Sequence, residues 1–497
     1  MSAGPDDEST RARLFRLAPF GLIALITGFA LVAPAFAATE GSTDSAQKFP
    51  DFGFAPSEDE YSGPLFSLSQ DYPQELPGDE ELPPFLDIDF SKDEASAIEY
   101  LDAVLDYAFE GNEEVDFRVE NNTVRDWYHM PWQHYGASGR EGIHGLTREA
   151  VAVPQQFANT QRADSPPSNV AVGGRFTTWA VGFYNSFGGY TIGQSWANPE
   201  DPQAGMVFPE GTVVFKLLFT EAGEDNGVPY LANPQSWDAY VYEHLSADGI
   251  GSEPIDAPRV VRKVNLIQMD VMIRDDRTLD LSGTGWLFGT YLYNGTLDPD
   301  GGFRNLVPLG LQWGNDPDVT DPADNPMNQP IEVDWDTPTQ TNPLLDETVI
   351  NSSPDVPYNH LGWGLRLSGP VDYYRSSCQS CHATAEWPVV SPLNPDFTSP
   401  SPTGADAPNY QPGGSEWNLW FANLAFGTPF DRNARTTDNI LQLQISIKNF
   451  YEARAVADGG IFMISGYPNG INENELDAED MHTRDLTGPS TETTLAD

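Results

Sequence analysis

Apolar positions change their spacing along the chain, and each change marks a different kind of element. Ile98, Leu101, Val104, Leu105 and Ala108 recur at helical intervals behind Ser91 and Glu94. That period predicts one amphipathic helix, opened by a Ser91/Glu94 capping box and closed at Gly111. Further on the apolar and β-branched residues run nearly unbroken. Residues 212–219, 265–273 and 285–293 read as strands, the last ended by the turn pair Asn294-Gly295. Residues 440–451 fit either period, and their length favours a helix. The expected fold class is therefore α+β, mainly antiparallel β-sheet with a few helices. No internal repeat interrupts this reading.

Between these elements the composition divides the chain. Arg11, Arg13 and Arg16 precede an apolar run over residues 17–32, and Ala35-Phe36-Ala37 follows it. This three-part pattern predicts a cleaved secretory signal over residues 1–37, hence an exported, periplasmic protein with no membrane span in the mature chain. A retained anchor is the other reading, since the run falls just short of the ~18 residues a spanning helix needs. Residues 38–90, rich in Ser, Pro, Asp and Glu, are expected to be an acidic linker or wrapping arm. A helix plus β-sheet domain should follow over 91–314. Residues 315–350 read as an Asp/Pro-rich surface loop, whose carboxylates lack the regular spacing of a calcium loop. Residues 351–497 would complete the same domain or form a second.

Charge narrows the function classes. With 25 Lys and Arg against 74 Asp and Glu the formal charge is −49. No basic stripe is available to release counterions from a phosphate backbone, which argues against nucleic acid, and an anionic membrane surface is disfavoured for the same reason. Such a shell suits a partner protein with a basic surface.

The chain has only two cysteines, in Cys378-Gln379-Ser380-Cys381-His382. This is the attachment pattern of a c-type haem. Two thiols one helical turn apart each bond one vinyl-derived carbon of the same porphyrin, and the adjacent imidazole reaches the iron. One motif predicts one covalent haem c and makes 351–497 the haem-attachment region. A redox dithiol would not need His382, and a zinc site would want further ligands. The sixth iron ligand decides between two roles: Met or His gives an electron carrier, an open position admits a small ligand. Met463, the first methionine after the motif, is the candidate metal ligand beside His382, although Gly460-Ile461-Phe462-Met463-Ile464 also reads as a buried strand. His360 is a second candidate. His129, His134 and His144 share an aromatic segment with Arg125 and Arg140, where a structural role competes with haem contact. Arg366 and Arg375, shortly before the motif, are candidates for pairing the propionates. An open distal pocket would be lined by side chains such as Phe215, Leu217, Met269 and Phe288.

Residues 208–219, 268–275 with 283–289, and the Cys378–His382 motif together resemble the beta-sheet cytochromes c-prime and their lysine-crosslinked, hydroxylamine-oxidising relatives. The resemblance covers about residues 178–385. It implies an antiparallel sheet packed over the haem, with a distal face not necessarily closed by the protein. Lys216, in the strand similar to the family's, is the lysine that a crosslink would use. The long insertion before the motif, the residues after it and the N-terminal region have no counterpart there. Three roles follow as expectations: electron transfer; an open-site haem enzyme or binder of hydroxylamine, nitric oxide or peroxide; or a protein that binds an organic ligand and carries a structural haem.

Overall fold

The computed structural model describes residues 49–133, 139–152, 176–226, 228–243, 257–320, 341–357, 361–373, 376–395 and 414–457. The expected signal, His134, His244, His360, Arg375, Met463 and His482 lie outside them. From Ala38 on the chain forms one compact unit, so the regions expected on either side of residue 315–350 share a single domain.

Helix α1 (Glu94–Phe109) forms where the apolar period placed it and buries Ala97, Leu101, Val104, Leu105 and Ala108. Its cap differs from expectation. Asp93 accepts the Ser96 amide at 2.9 Å, while Ser91 donates its hydroxyl to Asp89 at 2.9 Å. A carboxylate at this position also meets the positive end of the helix dipole, which a hydroxyl does not exploit.

Eight antiparallel strands make the central sheet. They are β1 (Thr147–Ala152), β2 (Phe176–Tyr184), β3 (Val213–Thr220), β4 (Ser236–Tyr242), β5 (Arg259–Arg274), β6 (Trp286–Tyr293), β7 (Leu306–Gln312) and β8 (Thr348–Ile350). Their order is β1-β2-β3-β5-β6-β7-β8, with β4 beside the first half of β5. The three strands read from the sequence are neighbours at its centre. Strand β8 is a correction: it lies within the expected surface loop, whose first residues Asn315 and Asp316 are also buried. Strand β7 contains Pro308, tolerated because it sits opposite Tyr291 at a register irregularity.

Both faces of the sheet are covered, which is why its central strands read as continuous apolar runs rather than as alternation. One face carries Phe183, Phe215, Leu217, Met269, Val271 and Tyr291. Helix α1 packs on it: Tyr291 donates its hydroxyl to the Leu101 carbonyl at 2.6 Å. Gly289 permits that approach, since a Cβ there would stand 2.5 Å from a Leu101 methyl. Trp127 and Phe117 extend the aromatic layer onto Phe215. The arm before α1 belongs to this core from Phe49 on, with Phe49, Tyr72, Phe85 and Phe90 all buried. It wraps the molecule rather than linking two parts.

Further elements complete the fold: α2 (Ser186–Ser195), α3 (Arg277–Leu281), α4 (Cys378–His382), α5 (Ser415–Trp420), the long α6 (Leu441–Ala457) and the ribbon of β9 (Glu386–Trp387) with β10 (Arg435–Thr436). Helices α4 and α6 lie against the second face of the sheet, where Gln442 meets Gly182 and Cys378 meets Thr290. Among the described residues no helix is long and apolar enough to cross a membrane.

Candidate cofactor site

The motif is a single helical turn with a complete cap. Ser377 Oγ accepts the Ser380 amide at 3.0 Å, and Ser380 Oγ in turn accepts the Ser377 amide at 2.7 Å. Ser377 also donates to the buried Asn315 side chain at 2.9 Å. The amide of Cys378 reaches the Leu367 carbonyl at 3.0 Å. Three-residue spacing puts both sulfurs on one side of this turn, and both cysteines are free thiols.

His382 is fixed from two directions. Its ring packs against Phe288 with centroids 5.1 Å apart, and Nδ1 lies 2.8 Å from the Asn439 carbonyl. That carbonyl can only accept, so Nδ1 carries the proton and Nε2 keeps its lone pair. Burial pushes the imidazole down to about 4, so it is neutral at pH 7. Asn439 is aimed by a backbone that few residues tolerate: Asp438 and Asn439 both have left-handed angles, with φ of 54° and 63°. Asp438 is held there through its carboxylate, which accepts the Phe208 amide at 2.7 Å.

Beneath the motif runs a polar row across the sheet. Register places Gly182, Lys216, Asp270, Thr290 and Gly310 side by side on β2, β3, β5, β6 and β7. Directly paired residues point to one face, so this row faces the motif. Thr290 Oγ1 lies 3.8 Å from Cys378 Sγ and 2.9 Å from Asp270. Gln268 Nε2 donates to both oxygens of Asp270, at 2.8 and 2.9 Å, and to Asp372 at 3.0 Å. Lys216 Nζ pairs at 3.0 Å with Glu149 of β1, which alternation from Thr147, paired with Ala180, brings to the same face. Lys216, Asp270, Asp372, Cys378, Cys381 and His382 are deep in the protein mass, yet each keeps a solvent-accessible part, as groups lining a recess do.

Burial raises the thiols, Cys381 up to about 12 and Cys378 well above its usual range, with Asp372 adding to both. Redox dithiols and zinc sites need thiolates, which this environment disfavours. Among the described residues no three His, Cys, Asp or Glu side chains are arranged to hold a metal ion. A haem c needs instead two reachable thiols and one neutral imidazole with a bare nitrogen, and these residues fit that requirement.

No family model, no curated protein and no solved structure matches this chain.

The residues singled out in the sequence separate into two groups. Cys378, Cys381, His382 and Lys216 meet on one face. Burial pulls Lys216 down, but Glu149, Asp270 and Asp372 outweigh it and hold its ammonium above the usual range. It is thus an ion-pair partner here rather than a free amine poised for crosslinking. Arg366 is a correction. It is fully buried and donates to the carbonyls of Asn315, Asp316, Val319 and Trp363 at 2.7–3.0 Å, so it braces the wall behind Ser377 and is not available to a propionate.

His129 and His144 serve the opposite face. The amide of Ser69 bonds His129 Nδ1 at 2.9 Å, and the ring packs on Phe183. His144 stacks on Trp237 at 4.3 Å and bonds Asp116 and the Asp238 carbonyl. Arg125 pairs with Glu110, and Arg140 with Asp51. Of the expected apolar pocket, Phe288 alone lies on the motif's face, because Phe215, Leu217 and Met269 occupy the alternate positions of their strands. Sequence reasoning missed Gln268, Asp270 and Asp372. The available signal was polar residues set inside apolar runs, Lys216 in β3 and Gln268 with Asp270 in β5.

Proposed function

We propose that this chain is an exported c-type cytochrome that binds one haem covalently through Cys378 and Cys381, with His382 as the iron ligand, and transfers electrons. One observation carries the reading: two free thiols on a capped turn, followed by an imidazole whose Nδ1 is committed to Asn439 and whose Nε2 has no hydrogen-bond partner among the described residues. A bound haem supplies one-electron chemistry at its iron. The protein's part is to keep His382 neutral by burial and to orient it through the carbonyl behind it. The sheet running beneath the motif supports the resemblance to the beta-sheet cytochromes c-prime. The strongly acidic chain supports a redox partner with a basic surface.

The test is retention of haem. Denatured protein extracted with acid acetone should keep one haem per chain, and Cys378→Ala or Cys381→Ala should each leave a single thioether. Haem that washes out of the wild type would overturn the reading.

A second reading, an open-site haem enzyme or small-ligand binder, is favoured by the proton-bearing groups Asp270, Asp372 and Lys216 in the recess, which a pure electron carrier does not need. Carbon monoxide separates the two. A high-spin spectrum that shifts with the gas means an open iron, whereas an indifferent low-spin spectrum means an electron carrier.

A further inference from the structure

Three carboxylates and one ammonium meet in the recess. Lys216 answers Glu149 at 3.0 Å. The side-chain amide of Gln268 bridges Asp270 and Asp372, Thr290 also donates to Asp270, and the Gly369 amide donates to Asp372 at 2.8 Å. The titratable groups facing this pair are Lys216 from β3, Glu149 from β1, and Cys378, Cys381 and His382 from α4. The two thiols and the imidazole are neutral. Two carboxylates bridged by one side-chain amide and set deep in the protein mass cannot both ionise freely, so the pair holds a proton whose release depends on nearby charge.

The pair also has a short path to the motif. Thr290 touches Asp270 on one side and Cys378 Sγ on the other, so one hydroxyl separates the carboxylates from an attachment sulfur. A charge change at a cofactor tethered there is felt through few intervening atoms and little water.

Resting on the cytochrome reading, we propose that the Asp270/Asp372 pair takes up the proton that accompanies reduction of the cofactor iron and releases it on oxidation. One electron arrives from a one-electron donor protein and one proton from solvent, and no bond to the iron forms or breaks. The added electron raises the pair's hold on its proton, so the midpoint potential falls as pH rises. Both carboxyls already stand above the ordinary aspartate range, chiefly through burial, with the charge of Asp372 adding to Asp270 and that of Glu149 to Asp372. The same arrangement serves either role of the site, since electron transfer and small-molecule redox chemistry both need a proton to follow the electron.

The experiment uses the mature, haem-loaded chain, with midpoint potentials measured from pH 5 to 9 and infrared difference spectra of reduction. Within the pair's titration window the redox equilibrium should change up to tenfold per pH unit, about 59 mV for one electron. A protonated-carboxyl band should be gained on reduction. Asp270→Asn should flatten the slope and remove the band, and Asp270→Glu should restore both. Asp372→Asn is the second variant where Asp270→Asn fails to fold. Lys216→Gln should move the window to higher pH. A potential that stays flat across the range with haem covalently bound would overturn the proposal, as would a slope surviving both Asn variants. A chain without covalent haem on denaturing extraction would instead sink the cytochrome reading, and this proposal with it.

Discussion

His382 is neutral because the protein removes water from it; the Asn439 carbonyl opposes that effect more weakly and fixes which ring nitrogen keeps the proton. Asn439 supplies that carbonyl only from a left-handed backbone, a conformation that Asn accepts at small cost and a β-branched residue does not. Asn439→Val should therefore lower stability by about 1–3 kcal/mol and reduce haem retention, whereas Asn439→Gly should preserve both; urea titration and haem-per-chain ratios measure this. A second residue sets a pH dependence away from the site. Burial pushes Glu221 up to about 7, against the amide of Thr177 that bonds it at 3.0 Å. The unfolded chain loses this proton near the ordinary glutamate value, so between about pH 4.5 and 7 the folded state binds more protons and stability falls as pH rises. Glu221→Gln keeps an acceptor for Thr177 and removes the charge. Variant and wild type should match at pH 4, and the variant should be more stable by about 2 kcal/mol at pH 8 in denaturant unfolding.

At the scale of elements, the motif turn is too short to be stable alone, since a helix needs several turns to offset its nucleation cost. Its position comes from the backbone around it. Trp363 donates its amide to the Ser376 carbonyl at 2.7 Å, and Gly362 lies so close that a Cβ would fall 1.9 Å from that oxygen. Both partners are backbone, so neither can swing aside. Gly362→Ala should separate the two segments, lower stability by about 1–3 kcal/mol and decrease the haem loaded per chain, which urea unfolding and haem-per-chain ratios measure. Elements were legible from sequence in proportion to their autonomy. Helix α1 and strands β3, β5 and β6 announce themselves through long apolar patterns. Strand β8 has three residues and exists only because β7 offers an edge, and β7 itself is disguised by Pro308.

Across the whole molecule, a formal charge of −49 makes the compact state repel itself. Screening shortens the reach of that repulsion from about 30 Å at 0.01 M salt to about 3 Å at 1 M. The melting temperature should consequently rise with sodium chloride over this range, and calorimetry at fixed pH measures it; a falling melting temperature would mean that paired charges such as Arg140 with Asp51 outweigh the repulsion. What the sequence determined by itself is local chemistry. Cys378, Cys381 and His382 share one helical turn, and a turn's geometry follows from spacing alone, so the proposal of a cofactor class rests on spacing and draws on no fold. The excess of carboxylates and the central strands are equally plain. Tertiary structure alone decided which side chains join the motif. Asp372 joins from a loop through Gln268, whereas Lys216 and Asp270, far apart in the chain, meet because β3 and β5 adopt one register. A slip of one residue would turn each to the other face and bring Phe215, Leu217 and Met269 to the motif instead. Arg366 likewise stands near the motif in sequence, yet the fold surrounds it with carbonyls. Spacing along a chain governs what one turn can hold, and pairing between distant strands governs what surrounds it.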